Sequence, residues 1–174
     1  MSDRWSTKSV VLHWVSAGIV VAMATAGFVM SDLPADSSLR LLLSRSHTFF
    51  GVTLMALTVA RLVVRWRGKS PEPLPLGAFH RRFVSAVHGL IYVFVFGLGA
   101  SGLVTALFTA WPSYVRGASA VAPDLEHVAS REVHETLVFG LLSLVALHVV
   151  GVLAQELRRG GALRRMIPFM REER

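Results

Sequence analysis

Residues 133–157 read VHETLVFGLLSLVALHVVGVLAQEL. The run is apolar around the whole circumference of a helix and exceeds the ~20 residues that cross ~30 Å of hydrocarbon. It nevertheless carries two histidines, His134 and His148, fourteen residues apart. An ionisable ring inside a bilayer is costly, so its presence there points to function. Fourteen residues is close to four helical turns. The two rings therefore lie about 21 Å apart along the helix axis and only about 40° apart around it. One span presents two imidazoles on one face at two depths.

Three more apolar runs accompany it, at about 10–30, 47–66 and 83–111. Each is bounded by charge or by Pro, Gly and Ser clusters. Asp32-Leu33-Pro34-Ala35-Asp36 ends the first, and Arg67-Gly68-Lys69-Ser70-Pro71 ends the second. Pro71, Pro73 and Pro75 hold the next segment extended. Trp111-Pro112 closes the third run and Arg158-Arg159-Gly160-Gly161 the fourth. The fold expected is all-α, a transmembrane four-helix bundle forming one integral-membrane domain over residues 1–174. Arg4, Lys8 and the apolar run after them resemble a signal peptide, but that run continues to Met30 and reads as a retained span.

Charge sets the direction. The N-terminal segment, the loop between spans two and three, and the C-terminal segment hold Arg4, Lys8, Arg61, Arg65, Arg67, Lys69, Arg81, Arg82, Arg158, Arg159, Arg164, Arg165, Arg171 and Arg174. The opposite side holds only Arg40, Arg45, Arg116 and Arg131. The asymmetry places both termini in the cytoplasm. It also accounts for the net charge of +7 without nucleic acid, because the basic residues flank apolar spans. Trp66, Trp111 and Tyr114 fall near span ends, where an aromatic belt sits.

Depth then pairs the histidines. His13 lies near the cytoplasmic face of span one, and His47 opens span two at the outer face. His134 also lies outside, with His148 further in. His47 can face His134 at the outer level, and His13 can face His148 at the inner level. Two bis-histidine sites suit two stacked b-type haems, whose filled axial positions favour electron transfer. The chain has no cysteine, so covalent c-type attachment and cysteine-ligated iron–sulfur clusters are excluded. The spans carry almost no Asp or Glu, which disfavours zinc and di-metal carboxylate sites. A proton-relay transporter would also want a midplane acid.

Supporting residues have two readings each. Gly51 follows His47 by one turn, Ala17 and Gly18 follow His13, and Gly151 follows His148. They either admit a flat macrocycle or pack helices closely. Arg61 is a candidate for haem propionates, whereas Arg65 reads as a snorkelling cation. His88, in span three, competes with His148 as the partner of His13. Its other readings are a hydrogen bond to a propionate, a quinone or a neighbouring helix. His80 and His127 fall in charged loops and read as solvated.

With these motifs in order, the chain resembles the bacterial cytochrome b561 family, small di-haem membrane cytochromes related to superoxide oxidase. The resemblance rests on Leu12-His13-Trp14, His47-x-x-x-Gly51, Val59-Ala60-Arg61-Leu62 and His88-Gly89-Leu90-Ile91-Tyr92. It continues through His134-Glu135-Thr136-Leu137 and Leu147-His148 to Arg165-Met166-Ile167-Pro168. It implies two non-covalent haem b groups, residence in the bacterial inner membrane and electron exchange with ubiquinone. In superoxide-oxidase members the electron comes from superoxide, an activity that would make this chain an oxidoreductase. Arg40, Arg45, Arg116 and Arg131 could supply a positive entrance for that anion, against Asp124, Glu126 and Glu132 nearby. Similar cytochromes are membrane subunits that pass electrons between a dehydrogenase or soluble cytochrome and the quinone pool, which is the alternative. One departure stands out: related chains carry histidine shortly after the last ligand, where this chain has Gln155 and Glu156. The quinone pocket then lies nearer His88, or uses the Gln155 amide as donor to a carbonyl.

Overall fold

The computed structural model describes residues 4–68, 71 and 77–167. Lys69, Ser70, Pro73, Pro75, Pro168, Arg171 and Arg174, which carry part of the sequence reading, lie outside the described residues. Five α-helices run in order: α1 (Thr7–Asp32), α2 (Ser38–Arg67), α3 (Ala78–Phe108), the short α4 (Trp111–Val115) and α5 (Ala129–Arg159). A 3₁₀ turn, Leu163–Arg165, follows. No strand occurs among the described residues. Helices α1, α2, α3 and α5 are each long and apolar enough to cross a membrane. The chain is a multi-pass, all-helical membrane protein.

The helices outrun the apolar stretches that predicted them. α2 starts at Ser38, well before His47, because Ser37 caps it by accepting a hydrogen bond from the Arg40 N–H. Ser6 caps α1 in the same way. Hydropathy locates the membrane-crossing part, whereas capping side chains locate the helix ends. His47 therefore lies inside α2 rather than at its start. Likewise α3 stops at Phe108, and Trp111 opens a separate turn of helix with Pro112 in its first turn.

The packing is that of a bilayer protein. Large apolar side chains face outward, with Val52 69% and Phe49 65% exposed, while the buried polar residues are Ser16, Ser44, Thr58, Ser101 and Thr105. Small interior residues let helices approach closely where lipid removes the hydrophobic incentive to associate. The threonine hydroxyls are satisfied on backbone carbonyls, Thr58 on Leu54 O at 2.7 Å and Thr105 on Ser101 O at 3.0 Å, whereas Ser16 Oγ is buried without a partner.

Four crossings bring both chain ends to one end of the bundle, called here the terminal end, with the α1–α2 turn and α4 at the loop end. α1 packs along α2, and α3 packs along α5, giving two hairpins that touch each other sparsely. Within the second hairpin, the Phe94 ring lies directly over Gly140, where no side chain would fit. The hairpins meet at mid-height, where Leu54, Val95 and Leu141 form a buried layer flanked by Met23, Ile91 and Phe94. Leu141 stands midway between His134 and His148 on α5. An apolar plug thus separates two histidine levels.

Candidate functional site

The four histidines from the apolar runs line the seam between the hairpins. At the loop end, the rings of His47 on α2 and His134 on α5 have centroids 6.2 Å apart with planes at 61°. At the terminal end, His13 on α1 and His148 on α5 have centroids 6.3 Å apart with planes at 74°. Two imidazoles bound on opposite sides of one metal, each nitrogen about 2 Å from it, have centroids about 6 Å apart. Both pairs have that spacing. The fourteen-residue interval on α5 does put one ring at each level, and the facing helices supply the partners.

His88 is the third ring at the terminal end. It packs edge-on against His148 with centroids 4.9 Å apart and planes at 80°. That is too close for a metal between them. Its Nδ1 donates to Val84 O at 2.7 Å. His80 lies in the first turn of α3, not in a loop, although it is exposed as expected; His127 is exposed in a turn.

The loop-end rings are held by neutral groups. His134 Nδ1 donates to Leu98 O at 3.1 Å and lies 3.0 Å from Ser101 Oγ, which leaves Nε2 as the ligating nitrogen. His47 Nδ1 is buried without a well-formed hydrogen bond, although the Met23 backbone approaches the ring. Two glycines seat these rings. A Cβ at Gly27 would lie 3.6 Å from His47 Cε1, and one at Gly102 would lie 3.6 Å from His134 Cε1. Ser101, Gly27 and Gly102 do not stand out in the sequence, because their relation to a histidine depends on the register between antiparallel helices. Gly51 instead lies against Met23 of α1, and Gly18 and Gly151 have nothing close to them.

The terminal-end pair has a charged neighbour. Arg61 Nη2 donates to His13 Nδ1 at 3.1 Å, and its guanidinium lies 5.7 Å from the centre of the Tyr92 ring. Arg65 covers Trp5 at 5.6 Å. Arg61, Tyr92, Arg65 and Trp5, with Ser9 and Met166, line an open hollow at the terminal end. Trp14 Nε1 donates to Met166 O at 2.6 Å, tying the C-terminal segment to α1 beside it. Gln155 lies two turns beyond His148, and its Nε2 is buried without a partner. Glu156 accepts from Leu163 N at 3.0 Å and so shapes the turn after α5.

Two residues expected in an aromatic belt turn inward instead. Tyr114 is 1% exposed, whereas Trp66 is 93% exposed, as a belt residue should be. Trp111 stacks edge-on with Tyr114 and donates to Thr48 Oγ1 at 3.1 Å, next to His47. Of the loop-end arginines, Arg40 and Arg45 bond the Leu33 and Val115 carbonyls, and Arg131 pairs with Glu135 at 3.1 Å.

The donor set can be tested against a cofactor. Among the described residues no group of three or more His, Cys, Asp or Glu could hold a bare metal ion. Facing pairs of neutral imidazoles fit a metal whose remaining positions a macrocycle already fills, and the sparse seam between hairpins is where a flat group could stand. Residues 4–169 match the family described as prokaryotic cytochrome b561. The chain is also similar to cytochrome b561 homolog 2 of Escherichia coli (strain K12), 30% identical over 118 residues. The match covers 66% of this chain and 62% of that protein, less than two thirds of the relative's length.

Proposed function

The chain belongs to the prokaryotic cytochrome b561 family of membrane electron-transfer proteins, and from that premise we propose that it moves electrons from superoxide to ubiquinone through two b-type haems. His47 and His134 would hold one haem at the loop end, and His13 and His148 would hold the other at the terminal end. The observation that carries this reading is the pair of ring separations, 6.2 and 6.3 Å, both across the seam. A haem held by two histidines supplies reversible one-electron chemistry with no open position for substrate at iron.

The chain's own residues supply the rest. The Lys and Arg asymmetry puts the terminal end in the cytoplasm of an inner-membrane protein and the loop end outside. Arg40 and Arg45 bond neutral carbonyls and keep their charge, so with Arg116 they draw a small anion to the loop end. Arg131 contributes little, being paired with Glu135. Superoxide gives one electron there and leaves as dioxygen. The Leu54, Val95 and Leu141 layer keeps water from the interval between the pairs. At the terminal end two electrons and two protons convert ubiquinone to ubiquinol. The buried, unpartnered Gln155 Nε2 suits a quinone carbonyl, and His88, packed against His148, is a second candidate at the same end.

The test uses purified protein with a reduced-minus-oxidised spectrum and a superoxide source. We expect b-type bands and quinone reduction that stops when superoxide dismutase is added. Absence of b-type bands overturns the haem reading. Haems that stay oxidised under superoxide, yet are reduced by a dehydrogenase or soluble cytochrome, overturn the substrate and leave a membrane cytochrome subunit.

A further inference from the structure

The two histidine pairs have the same ligand chemistry but different neighbours. At the loop end, the groups in contact with the rings are Leu98 O, Ser101 Oγ, Gly27 and Gly102, none of them charged. At the terminal end, the Arg61 guanidinium lies on His13 Nδ1 at 3.1 Å. Arg61 makes no salt bridge among the described residues; its other contact is the Tyr92 ring. A cation beside a redox centre favours the form that has gained an electron. At an effective dielectric constant near 20, a unit charge several ångströms away changes that equilibrium by on the order of tenfold to a hundredfold.

We infer that Arg61 is the positioning residue that makes the terminal-end site the easier of the two to reduce, and thereby sets electron flow from loop end to terminal end. The inference rests on the reading above, in which each pair holds a haem. The loop end acts in the same sense. There His134 donates its Nδ1 proton to a carbonyl, which makes the ring a stronger electron donor and favours the oxidised centre. In each transfer the loop-end centre loses one electron and the terminal-end centre gains it, with no external reactant. Coordination through His13 Nε2 moves that ring's proton to Nδ1. Arg61 then acts through its charge and not through the hydrogen bond to His13.

The experiment is a redox titration of the purified, haem-loaded protein, followed by absorption. Arg61→Gln should lower the more positive midpoint and reduce the equilibrium constant between the sites by on the order of tenfold or more. Arg61→Lys should restore the wild-type order, and Arg65→Gln should leave both midpoints in place. His134→Ala, which removes the loop-end haem, should retain the more positive midpoint alone, and this measurement stands even if Arg61→Gln fails to load. Unchanged midpoints in Arg61→Gln, or survival of the less positive midpoint in His134→Ala, overturns the inference while leaving the haem reading intact. A wild-type protein without b-type absorption overturns the haem reading itself.

Discussion

At the loop end, two rings face each other in neutral surroundings, with glycines beneath them and a carbonyl and a hydroxyl behind His134, while His47 Nδ1 stays buried without a partner. At the terminal end, a pair with nearly the same spacing has a third histidine against His148 and an arginine on His13, and the unpartnered Gln155 amide and an open hollow belong to the same end of the bundle. The difference teaches how one helix can serve two tasks. α5 contributes a histidine to each level, so the contrast comes from α1, α2 and α3. The loop end is built to hold a group still. The terminal end has further hydrogen-bonding groups, as the proposed exchange of protons and a carrier molecule there requires.

The comparison can be broken most directly by counting haem. His134→Ala should reduce haem content from two to one per chain, with the terminal-end spectrum retained. Two haems in that variant would end the pairing by level. The contested end gives the next largest effect. His13→Ala should lose the terminal-end haem while His88→Ala keeps both, as the 6.3 and 4.9 Å separations from His148 require. The opposite outcome, read by the same pyridine haemochrome assay, would make His88 the ligand and His13 its neighbour.

Smaller effects sharpen the picture of the loop end. Gly102→Val adds bulk against His134 and should cost about 1–3 kcal/mol, seen as a severalfold loss of loop-end haem, whereas Gly151→Val should be silent. Ser101→Ala removes one hydrogen-bonding group from the back of His134 and should cost about 1 kcal/mol, seen as a few degrees of thermal midpoint. A larger loss from Gly151→Val than from Gly102→Val would mean that the seam is not where the sites lie.

Much of this was readable before any coordinates. Four apolar runs correspond to α1, α2, α3 and α5, because crossing hydrocarbon demands length and hydropathy that nothing else in the chain imitates. The levels of His13, His47, His134 and His148 follow from their positions in the spans, the Lys and Arg asymmetry and the helical rise. Other features depend on contacts between helices and leave no local trace. Gly27 and Gly102 gain meaning only once the hairpin registers are known, and Gly51, chosen for its nearness to His47 in sequence, lies on Met23 instead. Tyr114 looks like an interfacial aromatic in sequence, yet α4 folds it inward. The Arg61–His13 contact joins residues far apart in the chain and was invisible for the same reason.

The sparse contact between the hairpins has a consequence for how the protein comes to exist. Each hairpin satisfies its own backbone and packs its own pair of helices, so each can insert into a bilayer as a finished unit. The seam is then the last surface to close, and its direct protein contacts are concentrated in the mid-height layer of Leu54, Val95 and Leu141. That layer acts as a hinge pin with an open jaw above and below it, and the histidine pairs are the teeth. On the proposed reading, the group each pair of teeth grips is a rivet between two prefabricated halves, and assembly ends with that cargo rather than with the chain.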